Sequence, residues 1–152
     1  MAEQQNRFIS ERLSANLAGA LRLLDAAERA LSARDVRLAN VVLGFEADAR
    51  TGVAPTVSAV RGDAAVEGVL DLAMRVADLA RIAWRTDRVH PAQEQVLELR
   101  DDVDSVRAQA ATAMAGGFEE LSTLTRVIAR ADARAAAMAR QCNLRRLACP
   151  AF

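Results

Sequence analysis

The fold is decided by two stretches in the second half of the chain, VHPAQEQVLELRDDVDSVRAQAATAMA at residues 89–115 and LSTLTRVIARADARAAAMARQC at residues 121–142. In each stretch, apolar residues recur at alternating steps of three and four, which places them along one side of a helix. A Gly-Gly pair at 116–117 favours a turn between them. We therefore predict two long helices that fold back on each other. Their seams are Val89, Ala92, Val96, Leu99, Val103, Val106, Ala110 and Ala113, and Leu121, Leu124, Ile128, Ala131, Ala135, Met138 and Cys142.

The composition favours helices throughout. The 152 residues include 34 alanines and 20 arginines, with no lysine and no tyrosine. Alanine and arginine are strong helix formers, and small side chains let helices approach each other closely. A chain of this length is ordinarily one domain with its own core. We predict an all-α protein, an antiparallel helical bundle of about five helices in a single domain, residues 1–152.

The other helices follow from the same periodicity and from capping signals. The spacing Ser32 to Asp35 ends one helix and begins the next, and we expect the second helix to turn Leu38, Val41, Val42 and Phe45 inward. The predicted helices run approximately from 8 to 31, 35 to 50, 63 to 88, 91 to 115 and 117 to 146. The first three would form one three-helix unit, 8–88, and the last two a long helical hairpin, 91–147.

Charge and targeting signals limit the partners. Twenty basic residues balance 20 acidic ones and occur along every helix, so we expect no nucleic acid partner. The N-terminus lacks a secretory pattern and no stretch is long and apolar enough to span a membrane. We expect a cytoplasmic protein with no direct membrane insertion. The lack of lysine reflects either a GC-rich genome or a use of arginine for contacts with anions.

The chemistry-bearing residues do not form a recognisable catalytic or metal motif. His90 is the single histidine and precedes a proline, which suits a helix boundary better than acid–base catalysis. Acidic residues cluster at Asp101, Asp102 and Asp104, where a solvated face is the ordinary interpretation and cation binding the alternative. We expect no enzyme, no catalytic or metal-ligating residue and no cofactor.

Trp84 is the candidate centre of a binding surface. It is the only tryptophan, and Arg81, Arg85 and Arg88 lie close to it in the sequence. Tryptophan and arginine are enriched at the energetically dominant positions of protein interfaces. We predict that these four residues bind a protein partner, and the alternative is that Trp84 anchors the core.

Two segments resemble a known family. The run ALSARDVRLANVV at residues 30–42 and the run DLARIAW at residues 78–84 resemble the PhoU-like phosphate-uptake regulators. Members of that family look like two tandem three-helix units, with Ala-Leu-x-x-x-Asp-x-x-Leu-Ala-x-x-Val entering the second helix and Asp-Leu-Glu-Arg-Ile-Gly-Asp in the third. The resemblance covers residues 10–88 and, more loosely, 100–140. It implies a three-helix unit followed by a partial second unit.

The resemblance does not extend to the acidic motifs that hold metal clusters in that family. Ala80 and Trp84 stand where the acids of the third helix belong, and Glu46 with Arg50 where the pair of the second helix belongs. Glu46 alone is retained. The resemblance therefore implies a kept scaffold with most of its metal site lost.

Two functional hypotheses follow. The first is a non-enzymatic regulatory or adapter protein that binds another protein in phosphate uptake or signalling, such as a transporter subunit or a sensor kinase. The alternative is a structural or assembly protein whose helical seams mediate self-association. Leu97, Val127 and neighbouring alanines leave an apolar strip that no predicted helix covers, so we expect a homodimer.

Overall fold

A computed structural model describes residues 2–44, 61–85 and 90–148, with side chains given for 7–8, 10–44, 64–85 and 90–143. These parts contain five helices and no strand, which confirms the predicted all-α bundle. The helices are α1 (Ala2–Ser32), α2 (Val36–Gly44), α3 (Arg61–Ala83), α4 (Gln93–Ala115) and α5 (Ser122–Ala148).

Four long helices form a ring in the order α1, α3, α5, α4. Side-chain contacts give their directions: Gln95 bonds Gln141 between α4 and α5, and Arg100 pairs with Glu28 between α4 and α1. Gly68 lies beside Ile128, in the first half of both α3 and α5. Helices α1, α3 and α5 therefore run parallel, and α4 runs against them. The short α2 contacts α1 and α3, so the α4–α5 side of the ring lies opposite to it.

The central helix is α3. Its predicted apolar face, Val66, Val69, Leu72, Ala73, Val76, Leu79, Ala80 and Ala83, is fully buried. It contacts α1, α2 and α5, and no other helix of the described chain contacts more partners. Small side chains on this face let three helices pack close to it.

The predicted seams of the hairpin are also found. In α4, Val96, Leu99, Val103, Val106, Ala110 and Ala113 are buried, and in α5, Leu124, Ile128, Ala131, Ala135, Met138 and Cys142 are buried. Ala92 is exposed because it precedes α4, and Leu121, which precedes α5, is half-buried. Val89 lies outside the described residues.

Several predicted helix ends are corrected. The fifth helix begins at Ser122 and not at Gly117, because Gly117 and Phe118 adopt positive φ angles of 71° and 68° and continue the turn. Phe118 is buried there, and a Glu120 carboxylate oxygen accepts the amide hydrogen of Ser122 at 2.6 Å. The fourth helix begins at Gln93, after Pro91, with Ala92 in an extended conformation.

The second helix is described over Val36–Gly44, and its buried side differs from the predicted one. Asp35 caps it, since its carboxylate accepts the amide hydrogen of Leu38 at 3.0 Å. Val41, predicted to point inward, is 52% exposed, because α2 packs through Ala39 and Val42 on its other side. Phe45 lies outside the described residues.

Candidate functional site

Trp84 joins the ends of two helices. It directly follows α3, and its indole Nε1–H donates a hydrogen bond to the carbonyl oxygen of Leu31 at 2.8 Å. Leu31 belongs to the last turn of α1, where carbonyl groups have no partner within the helix. The half-buried indole therefore satisfies one of these groups and ties α1 to α3.

Arg34 and His90 contact the Trp84 ring. The Arg34 guanidinium carbon lies 4.7 Å from the ring centroid, at the distance of a cation–π contact. The centroid of the His90 ring lies 5.1 Å from that of the Trp84 ring, with an angle of 40° between the two ring planes. The Nδ1 atom of His90 is 2.5 Å from the carbonyl oxygen of Ala83. An acceptor at that position requires that Nδ1 carry the proton and donate it. His90 thus lies between α3 and α4 and bonds the last residue of α3.

The structure places three of the four predicted binding residues at one end of the bundle. Arg81 is exposed and bonds Asp78 at 2.5 Å, and Arg85 is exposed beside Trp84. Arg88 lies outside the described residues. Sequence reasoning missed Arg34, since it lies in the turn after α1, fifty positions away from the ring it covers.

A groove opens between α3 and α5 beside the end of α2. We name it the α3–α5 groove; its volume is about 610 Å³. Its lining residues are Leu43, Gly68, Asp71, Met74, Arg75, Asp78, Thr125, Ile128, Ala129 and Asp132. Gly68 shapes the floor, because a Cβ there would lie 3.5 Å from both Cδ1 and Cγ2 of Ile128, at van der Waals contact.

The rim of the α3–α5 groove is acidic. Its lining includes three carboxylates, Asp71, Asp78 and Asp132, and one arginine, Arg75, which forms an ion pair with Asp132 across the two helices. Leu43, Met74 and Ile128 supply apolar surface between these charges. Such a site, apolar in the middle and charged at the edge, is typical of surfaces that bind an amphipathic segment.

The remaining charged clusters connect helices. Arg134 of α5 donates to Asp102 of α4 at 2.5 Å and to Glu98 at 2.6 Å. The hydrogen bond to the buried Asp102 carboxylate raises the pKa of Arg134 above its usual value, and desolvation only partly opposes this. Arg107 of α4 bonds both Asp104 and Asp25, and the latter bond reaches α1.

The acidic cluster singled out in the sequence is thus divided. Asp102 and Asp104 bond different arginines. Within the described chain, no group of three or more histidine, cysteine, aspartate or glutamate residues is placed to hold a metal ion. Glu46 and Arg50, which the family resemblance relates to a metal motif, lie outside the described residues, and the expected lack of a metal stays a prediction.

Comparison with known proteins gives no match: no family model, no curated protein and no solved structure is similar to this chain. The PhoU-like resemblance accordingly stays a hypothesis drawn from the sequence. None of the helices in the described ranges has the length and apolar content that a membrane span requires.

Proposed function

We propose that this chain is a non-enzymatic helical regulator or adapter that acts by binding another protein in the α3–α5 groove. The observation that carries the proposal is the groove itself, an apolar floor with an acidic rim between two helices of one bundle. The family resemblance adds that the process is phosphate uptake or signalling, with a transporter subunit or sensor kinase as the partner.

The chemistry of the groove selects its ligand. An amphipathic helix fills such grooves with apolar residues spaced three and four apart. The lining holds three carboxylates and one arginine, so its overall charge would favour a partner with lysine or arginine beside that apolar stripe. We therefore infer a partner helix with an apolar stripe and basic flanks.

The arginine patch predicted from the sequence extends this surface. Asp78 lines the groove and bonds Arg81, which lies one turn before Trp84. Arg81 and Arg85 would contact an acidic part of the same partner, while Trp84 holds the end of α3 in place through Leu31. The groove and the patch would then act as one binding surface along α3.

One observation favours the second candidate function, self-association. Leu97 on α4 is 46% exposed on the side of the bundle opposite α2. Val127, the other large residue of the predicted apolar strip, is half-buried and packs against the core. Leu97 alone therefore supports that strip and the expected homodimer, which need not compete with a partner in the groove.

The groove proposal is tested by blocking it. Thr125 is exposed and lines the groove, so Thr125→Arg adds a long cation where a basic helix would lie. We expect loss of a host protein from quantitative affinity purification by at least about tenfold, the scale of a lost interface anchor.

The matched control is Thr112→Arg, the same change at an exposed threonine of α4. This variant should retain the partner at the wild-type level. Equal recovery of every partner by wild type, Thr125→Arg and Thr112→Arg would contradict binding in the groove. Recovery of this chain alone would favour the assembly function.

A further inference from the structure

The outward side of the α4–α5 hairpin carries arginines on α5 and carboxylates on α4. We name this surface the α4–α5 face. On α5 it carries Arg126, Arg130 and Arg140, which form no ion pair with any described residue. On α4 it carries Glu94 and Asp101, whose carboxylates likewise form none within the described ranges. Unpaired opposite charges on neighbouring helices of one face are a pattern suited to self-complementary contact.

Helical periodicity places these residues on one side. At 100° per residue, positions 126, 130, 133, 137 and 140 of α5 fall within about 80° of each other. Positions 94, 97 and 101 of α4 fall within about 60°. Beside these charges the surface includes the exposed Leu97 on α4 and the small side chains Ala133 and Ala137 on α5.

The two helices align their charges by height. The Gln95–Gln141 hydrogen bond and the Arg134–Asp102 pair fix the antiparallel register. By this register Glu94 lies level with Cys142, about 3 Å along the axis from Arg140, and Asp101 lies level with Ala135, about 7.5 Å from Arg130. Leu97 lies level with Ala139, about 3 Å along the axis from Ala137.

We propose that a second copy of this chain docks on the α4–α5 face through a two-fold axis parallel to these helices. This axis places α4 of each copy on α5 of the other at unchanged height. Glu94 then meets Arg140 of the other copy, Asp101 approaches Arg130, and Leu97 packs on Ala137. Each contact occurs twice.

The charge distribution selects this arrangement. A two-fold axis perpendicular to the helices would place α4 on α4 and α5 on α5, with acids facing acids and arginines facing arginines. A polyanion such as nucleic acid would meet the arginines of α5 but also the acids beside them. A second copy satisfies both halves of the face.

The α4–α5 face is large enough to form a dimer interface of ordinary size. The 23 residues of α4 span about 35 Å, and two helices side by side are about 20 Å wide. The face thus offers about 700 Å² per copy, close to the about 800 Å² that each partner buries in a standard interface.

Charge reversal and charge exchange test the proposal. Sedimentation velocity of wild type at tens of micromolar in low salt should give a dimer. Glu94→Arg and Arg140→Glu should each weaken the dimer by at least about tenfold, since each breaks two contacts and creates repulsion. The double variant Glu94→Arg/Arg140→Glu exchanges the charges, and we expect it to dimerise within about threefold of wild type.

Arg37→Glu is the control, because Arg37 is an exposed arginine of α2 on the far side of the bundle. Circular dichroism melting verifies that each variant is folded. A monomeric wild type, including one that binds duplex DNA or RNA instead, would overturn the proposal. So would single reversals that leave the dimer unchanged, or a double variant that does not recover. Thr125→Arg should leave the dimer intact, which separates this test from that of the groove.

Discussion

Replacement of Trp84 by alanine is expected to lower the free energy of unfolding by about 3 kcal/mol, the lower end of the range for truncating a large aromatic side chain. Trp84 is half-buried, which keeps the loss from being larger. The truncation removes apolar contact between α1 and α3 and leaves the carbonyl group of Leu31 without its 2.8 Å donor. It also removes the ring under Arg34. Urea denaturation measures the change directly.

Two further variants show which part of the Trp84 side chain accounts for the expected loss of stability. Trp84→Phe keeps an aromatic ring against Arg34 and loses the indole donor, so it should cost about 1 kcal/mol. Phe8→Ala removes an aromatic side chain that is 63% exposed and should stay within about 0.5 kcal/mol of wild type. A fully stable Trp84→Ala that has lost its protein partner would contradict the anchoring role and favour a purely interfacial Trp84.

Replacement of Arg134 by methionine should lower the free energy of unfolding by about 2–3 kcal/mol. The Asp102 side chain is 10% exposed, and without Arg134 its carboxylate would be buried with no countercharge. The expected loss of stability is smaller than for breaking a fully buried ion pair, because the Arg134 side chain is 36% exposed and water can reach the site.

A double-mutant cycle identifies the cause. Asp102→Leu/Arg134→Met removes both charges and should recover most of the stability lost by Arg134→Met alone. Arg37→Met, at an exposed arginine of α2 away from both ion pairs, should be neutral within about 0.5 kcal/mol. A neutral Arg134→Met would show that the α4–α5 ion pair adds nothing to the packing of the seam.

The helices and their buried sides were predictable from the sequence because amphipathic periodicity is local. Val103 and Leu124, each on a predicted seam, are buried as expected. The start of α5 was not predictable in the same way. Glu119 and Glu120 suit the first turn of a helix, but Phe118 turns into the core and Glu120 caps Ser122 from outside the helix.

The candidate sites depend on contacts between distant positions, which periodicity does not give. The α3–α5 groove is lined by Gly68 and Ile128, which lie side by side although sixty positions separate them in the sequence. The formal net charge of the whole chain is zero, so it does not reveal that this face has carboxylates on α4 and arginines on α5. Once the helix register is known, Arg126, Arg130 and Arg140 can be read from the sequence as one side of α5.

The central claim is that one surface of this bundle binds another protein and a separate surface binds a second copy of this chain. Site-specific photo-cross-linking in host cells tests it, with a photoreactive residue at Thr125 in the groove or at Leu97 on the α4–α5 face. We predict an adduct with another protein from Thr125, and from Leu97 an adduct of twice the 16.3 kDa chain mass. Absence of adducts at both positions, or the same adduct from both, would contradict the claim.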